Sequence, residues 1–188
     1  MDTKLGIGFS TGMFYHAPAG TALPAYPSAT LASAWEEVGD VSDAGITLAT
    51  DKSTTTLRNW ANVVKRVILS EHTETIQTPI MDTTEEVLRA VVGDDNVTTT
   101  AAVSGTHGKI VTANLSDASL PEEEAFLWLM KDGDAMIAIG CKRGQVTAVD
   151  NVSFAPNAAI NWTPTITALG DGFQLIMDDA VPSAQSTT

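Results

Sequence analysis

The chain has 188 residues, 44% of them hydrophobic, a formal net charge of −13 and a mean hydropathy of +0.07. This is enough apolar material for one folded domain and too much for a disordered chain. The acidic balance argues against conventional nucleic-acid binding, in which Lys and Arg displace counterions from phosphates.

No apolar run reaches the ~18–20 residues that a bilayer span requires. The opening Met1-Asp2-Thr3-Lys4-Leu5-Gly6 has neither the basic nor the apolar region of a secretory signal, so synthesis in a cytoplasm is expected. Cys141 is the only cysteine, which rules out an intrachain disulfide and reads as a small apolar residue ending a strand. Residues 36–51 hold Glu36, Glu37, Asp40, Asp43 and Asp51 without a basic partner, and no Lys or Arg follows Arg143.

Residues 1–33 are small, apolar and punctuated by Gly and Pro, with no helical period. They read as an extended N-terminal arm lying across its own domain or a neighbour, with Phe14, Tyr15, Pro18, Pro24 and Tyr26 as candidate inter-subunit contacts. Residues 34–179 read as a single β domain and 180–188 as a short flexible tail.

Within the domain, short strands are expected at 35–38 and 46–48, around a turn at Asp43-Ala44-Gly45. The longest extended stretch, 63–80, either breaks near Ser70 or is a long strand, and its Val67-Ile68-Leu69 looks buried on both faces. Asp82-Thr83-Thr84-Glu85-Glu86 carries a capping signal, and Val87, Leu88, Val91 and Val92 make an apolar stripe that ends at Gly93. One helix of about three turns is therefore expected over ~82–93.

Residues 93–107 read as a polar loop. Strands at 125–131 and 135–141 flank Asp132-Gly133, a type I′ hairpin signal. Arg143-Gly144 reads as a turn into 145–150. Residues 160–168 alternate cleanly but carry Pro164, which suits an edge or a bulge. A last strand is expected at 173–177. Arm, strands, one helix and more strands predict a mainly β fold, a two-sheet β-sandwich or partial barrel with one flanking helix.

Enzymatic signatures are lacking: there is no Gly-x-Ser-x-Gly elbow, Walker-type loop or Cys-x-x-Cys. His72 and Glu74 share one strand face and with His107 make the best metal-ligand candidates, although a solvated strand pair is the commoner reading. Trp35, Trp60, Trp128 and Trp162 are the aromatics that a ligand-binding module would use, with Trp128 and Trp162 in apolar, core-like contexts.

Three blocks then carry a family pattern. They are Ala17-Pro18-Ala19-Gly20-Thr21-Ala22-Leu23-Pro24, Leu31-Ala32-Ser33-Ala34-Trp35-Glu36-Glu37-Val38-Gly39 and Val41-Ser42-Asp43-Ala44-Gly45-Ile46-Thr47. Together with Thr56-Leu57-Arg58-Asn59-Trp60, Val64-Lys65-Arg66-Val67 and Glu85-Glu86-Val87-Leu88, they resemble the major tail tube proteins of long-tailed (siphovirus-type) bacteriophages, over roughly residues 10–93.

The resemblance implies a structural virion protein without cofactor or catalytic residues. It implies hexameric rings stacked into a tube, with a tape measure protein inside and tail terminator and tip proteins at the ends. DNA would pass through an acidic lumen without specific binding, with Glu71 and Glu74 as candidate lumen acids. The alternatives are a tail terminator or head–tail joining protein with the same core, a free β-sandwich ligand-binding module, and a metal hydrolase. On the arm reading, a chain lacking residues 1–33 is expected to fold but not to stack.

Overall fold

The computed structural model describes residues 13–116 and 119–178. The first twelve residues of the expected arm and the expected tail at 180–188 lie outside the described residues. In chain order the elements are β1 (Phe14–Pro18), β2 (Glu36–Gly39), β3 (Thr47–Arg58), β4 (Val64–Gln77), α1 (Glu85–Val92), β5 (Val97–Thr100), β6 (Ile110–Ala113), β7 (Glu124–Asp132), β8 (Ala135–Val149), β9 (Pro164–Ala168) and β10 (Gln174–Asp178). Eight strands form one antiparallel sheet in the order β2-β1-β7-β8-β9-β4-β3, with β10 paired to β8, while β5 and β6 form a small second sheet. The fold is mainly β with two sheets and one helix, as expected, and the large sheet does not close.

The core follows from β7. Its residues Ala125 to Leu129 are all buried, which an extended chain permits only when both faces of the strand are covered. Phe126 and Trp128 enter one cluster with Ile76, Ile80, Val87, Val91 and Ile166. Ala125, Leu127 and Leu129 enter a second, closed by Ala17 and Trp35, with Leu23 and Leu31 packed against it. Trp128 and Phe14 stack with ring centroids 5.0 Å apart. Cys141 is buried within β8 rather than at a strand end, and burial pushes its thiol up to about 11, so it packs as a neutral apolar group.

Several sequence expectations change here. Phe14–Pro18 is not an arm segment: β1 pairs with β2 on one side and β7 on the other, and Phe14 is 1% exposed. Surrounding Gly and Pro hid a strand only five residues long. The strand expected at 46–48 is instead the start of twelve-residue β3, whose Thr-rich continuation has no apolar alternation to announce it. β4 is one long strand, with a register irregularity that leaves Ser70 unpaired between Glu71 and Leu69. Val67, Ile68 and Leu69 are exposed rather than doubly buried.

α1 is eight residues, shorter than expected. Thr84 is its N-cap, accepting from the Val87 amide, and Gly93 ends it at a φ of 90°. The expected loop at 93–107 contains β5, which pairs with β6. Arg143-Gly144 is not a turn: Gly144 lies inside β8, where a Cβ would meet Cys141 Sγ at 2.9 Å and Phe126 Cδ2 at 3.0 Å. β9 is central, between β8 and β4, and tolerates Pro164 as its first residue, where one missing N–H disturbs the ladder least. The β7–β8 hairpin exists, but Asp132 pairs with Ala135, so Gly133 and Asp134 form its loop. Of those two only Gly133 has positive φ, which is the type II′ pattern and not I′.

Two stability predictions follow from this packing. Deleting residues 1–33 removes β1 and should abolish cooperative folding, and Phe14→Ala in the full chain should cost about 3–5 kcal/mol in urea denaturation. A deletion variant that melts like the full chain would return this segment to the role of an arm. Gly133→Ala should cost about 1 kcal/mol, whereas an unchanged urea midpoint would mean that the turn tolerates a side chain at positive φ.

Candidate assembly surfaces

β3 and β4 form the longest ribbon in the molecule, paired from Thr47↔Gln77 to Arg58↔Val64. Only its base is anchored: Ile76 is wholly buried, and β4 pairs with β9 at Thr75, Ile76 and Gln77. All of β3, and β4 from Val64 to His72, is exposed. At ~3.3 Å per residue this part of the ribbon is roughly 30 Å long. A two-stranded ribbon alone is marginal in water, yet this one carries exposed Leu57, Trp60, Val63, Val67 and Leu69.

The tip of the ribbon is tightly tied. The Asn59 and Asn62 amides donate to the Val63 and Asn59 carbonyls at 3.0 and 2.8 Å, and the Val63 amide donates to Asn59 Oδ1 at 2.9 Å. Arg58 Nη1 donates to the Asn62 carbonyl at 3.0 Å, and Asn62 sits at a φ of 60°. Trp60 is fully exposed at this tip.

The inner half of the ribbon has two chemically different faces. Register places Thr47, Ala49, Asp51 and Ser53 beside Gln77, Thr75, Thr73 and Glu71. This face carries two acids and no Lys or Arg. It continues through Thr165 and Thr167 of β9 to Gln145 and Thr147 of β8, opposite the core residues Ile76, Ile166 and Val146. The result is a broad hydroxyl- and amide-lined surface with acids at its β3–β4 end.

Two adjoining concavities lie along α1 and the second half of β8. An open apolar pocket of about 280 Å³ is lined by Val91, Val92, Leu115, Leu120, Val149 and Trp162, among others. Asn96, Ser119, Leu120, Pro121 and Val146 also border a larger cleft of about 590 Å³, which holds Glu36, Asp94, Asp95, Glu122, Glu123 and Glu124. In that cleft His16 Nδ1 lies 3.1 Å from Glu124 Oε1. Burial alone would lower the His16 pKa, but its hydrogen bond to Glu124 and the surrounding carboxylates raise it above the usual value.

A long ribbon with unpartnered apolar side chains and a broad polar sheet face suit a chain that assembles edge to edge, and the comparison with known families is specific. The sequence profile of a family described as phage tail tube protein matches residues 6–187. The chain belongs to the phage tail tube protein family. The family is one of structural proteins of the phage tail. Among curated proteins none matches.

Within this tail tube framework the residues singled out from sequence fall into distinct places. Phe14 belongs to the core, Tyr15 and Pro24 are half-buried, and Pro18 and Tyr26 are exposed. Glu71 is exposed on the polar face. Glu74, three positions along the same regular stretch, projects to the opposite face and accepts the Phe173 amide at 2.8 Å. It fastens the segment leading into β10.

His72 Nε2 lies 3.4 Å from Glu74 Oε1, whereas His107 Nδ1 is engaged with the Gly108 carbonyl at 2.7 Å. Among the described residues no group of three His, Cys, Asp or Glu side chains is placed to hold a metal ion. Trp35, Trp128 and Trp162 are buried, which leaves Trp60 as the exposed indole. Sequence reasoning missed the tip geometry. The signal available for it was the run of β-branched Thr before Asn59.

Beside the apolar pocket, Glu85 ties the small sheet to α1. Its carboxylate accepts from Thr99 Oγ1 at 2.6 Å and Arg89 Nη2 at 2.8 Å, and lies 2.6 Å from Lys109 Nζ. The hydrogen bond from Lys109, then those from Thr99 and Arg89, hold this carboxyl down at about 2. A depressed folded pKa stabilises above the unfolded value and is lost as pH falls through the folded one. Protection of the β5–β6 amides from hydrogen exchange should therefore fall between about pH 4.5 and 2, and Glu85→Gln should show the weakened protection already at neutral pH. Equal protection factors in variant and wild type would mean that the small sheet is held by its backbone alone.

Proposed function

We propose that this protein is the major tail tube subunit of a long-tailed, siphovirus-type phage, made in the host cytoplasm and assembled into hexameric rings that stack as a hollow tube. The observation that carries this reading is the β3–β4 ribbon. It is anchored at one end, exposed along its length and rich in apolar side chains, so a neighbour must cover it. Pooling such ribbons between subunits satisfies their free edges by closure, which an open sheet cannot do by itself.

The Thr- and Gln-rich face bearing Asp51 and Glu71 would then line the lumen. DNA is held by Lys and Arg through counterion release, and this β3–β4 surface offers neither. Its acids repel phosphate and leave DNA free to slide without specific binding. The same lumen would house the tape measure protein, and terminator and tip proteins would meet the end rings. The exposed Pro18 and Tyr26, with half-buried Tyr15 and Pro24, are proposed contacts between subunits.

Negative-stain electron microscopy across a concentration series, with sizing chromatography alongside, tests the reading directly. Hollow rings or stacked tubes that accumulate with concentration are the expected result. Monodisperse particles of monomer size at every concentration would count against self-assembly of this chain.

A further inference from the structure

The hairpin tip and the apolar pocket are complementary in two independent respects. The first is shape and polarity. Trp60 is a fully exposed indole on a tip fixed by four hydrogen bonds, so it is presented rigidly, as interface anchors are. The pocket of about 280 Å³ is apolar and open, and no residue of the ribbon lines it. A cavity of ~150 Å³ already accepts a benzene ring.

The second is charge. From Lys52 to Ser70 the chain has four of its ten basic residues, Lys52, Arg58, Lys65 and Arg66, and no acid. The pocket adjoins the cleft holding six carboxylates. Of these, Asp94 and Glu123 pair with Arg89 and Arg143, and Glu124 pairs with His16.

We propose that the apolar pocket between α1, the segment that follows β6, and β8 is the seat for the hairpin tip of a second copy of this chain. Trp60 fills the pocket, and Arg58, Lys65 and Arg66 face the acidic cleft beside it. This inference rests on the tube reading and adds to it the identity of the two surfaces that meet. Knob and hole lie on different parts of the molecule, so the contact is heterologous. Such contacts generate closed rings or open-ended stacks rather than a sealed dimer. The opposed charges would steer the tip toward its seat and make assembly sensitive to salt.

Two variants test the two sides separately, each at an exposed position that should leave folding intact. Trp60→Ala removes the knob, and Ala148→Phe places a ring in the hole, whose lining includes Ala148. Both should melt like wild type and raise the concentration at which rings or tubes form by at least about tenfold. Because the other three tryptophans are buried, acrylamide quenching reports mainly Trp60. Quenching should be strong in the monomer and suppressed in assembled wild type.

A photo-reactive benzophenone amino acid at position 60 should cross-link in tubes to peptides containing Val92, Leu120 or Val149 of another copy. If wild type forms tubes while Ala148→Phe forms them equally well, or the cross-links fall elsewhere, the seat is wrong and the tube reading stands. If the wild-type chain stays monomeric at every concentration, both fall together.

Discussion

The pairing of β7 with β8 is the constraint on which the rest of this molecule depends. β7 is buried on both faces, so it needs partners at both edges and cover on both sides. β1 and β8 supply the edges. On one side the cover is α1 with Ile76, Ile80 and Ile166; on the other it is Trp35, Leu23 and Leu31. β8 is long enough to pair with β7 and β10 in its first half and with β9 in its second. Through β9 it fixes the base of the β3–β4 ribbon. The position of an element that projects into solvent is thus set by an apolar strand pair deep in the core.

That arrangement separates stability from assembly. The residues that hold the domain together are at the ribbon's base, in β7 and β8 and around α1. The residues proposed to meet neighbours are on the outer ribbon, the polar sheet face and the pocket wall. Changes to the ribbon tip cost little folding free energy because almost nothing within the domain packs against it. The small β5–β6 sheet stands between the two roles. It contributes little to the core, yet Glu85 tethers it to α1, and at its end the Asn114 amide donates to the Asn96 carbonyl at 2.8 Å, joining two residues that line the apolar pocket.

What could be read from the sequence divides along the same line. α1, the β7–β8 hairpin and β10 were legible because each carries a local signal: a cap and stripe, a Gly-containing turn, an apolar run. Trp128 and Trp162 were legible as core from their apolar neighbours. β1 was not, because Phe14 owes its burial to Trp128, more than a hundred residues away. β3 and the outer part of β4 were misread for a different reason. Hydrophobic pattern reports burial within one chain, and Val67-Ile68-Leu69 is apolar where its own domain offers no cover. The two acids named together from sequence are divided by simple parity. Glu71 and Glu74 stand an odd number of positions apart and cannot share a face of one regular strand.

The distribution of charge draws these strands together. A chain with 23 acidic and 10 basic residues repels its own copies, and uniform repulsion would oppose any ordered assembly. Here the sign is segregated instead. The outer ribbon from Lys52 to Ser70 is basic, the cleft beside α1 is acidic, and the inner β3–β4 face carries acids alone. Like-charged surfaces discourage face-to-face pairing of identical patches, whereas basic tip and acidic cleft attract only when one copy is offset from the next. On the docking proposed above, the same acidity that keeps free subunits apart selects an offset placement of one copy against the next.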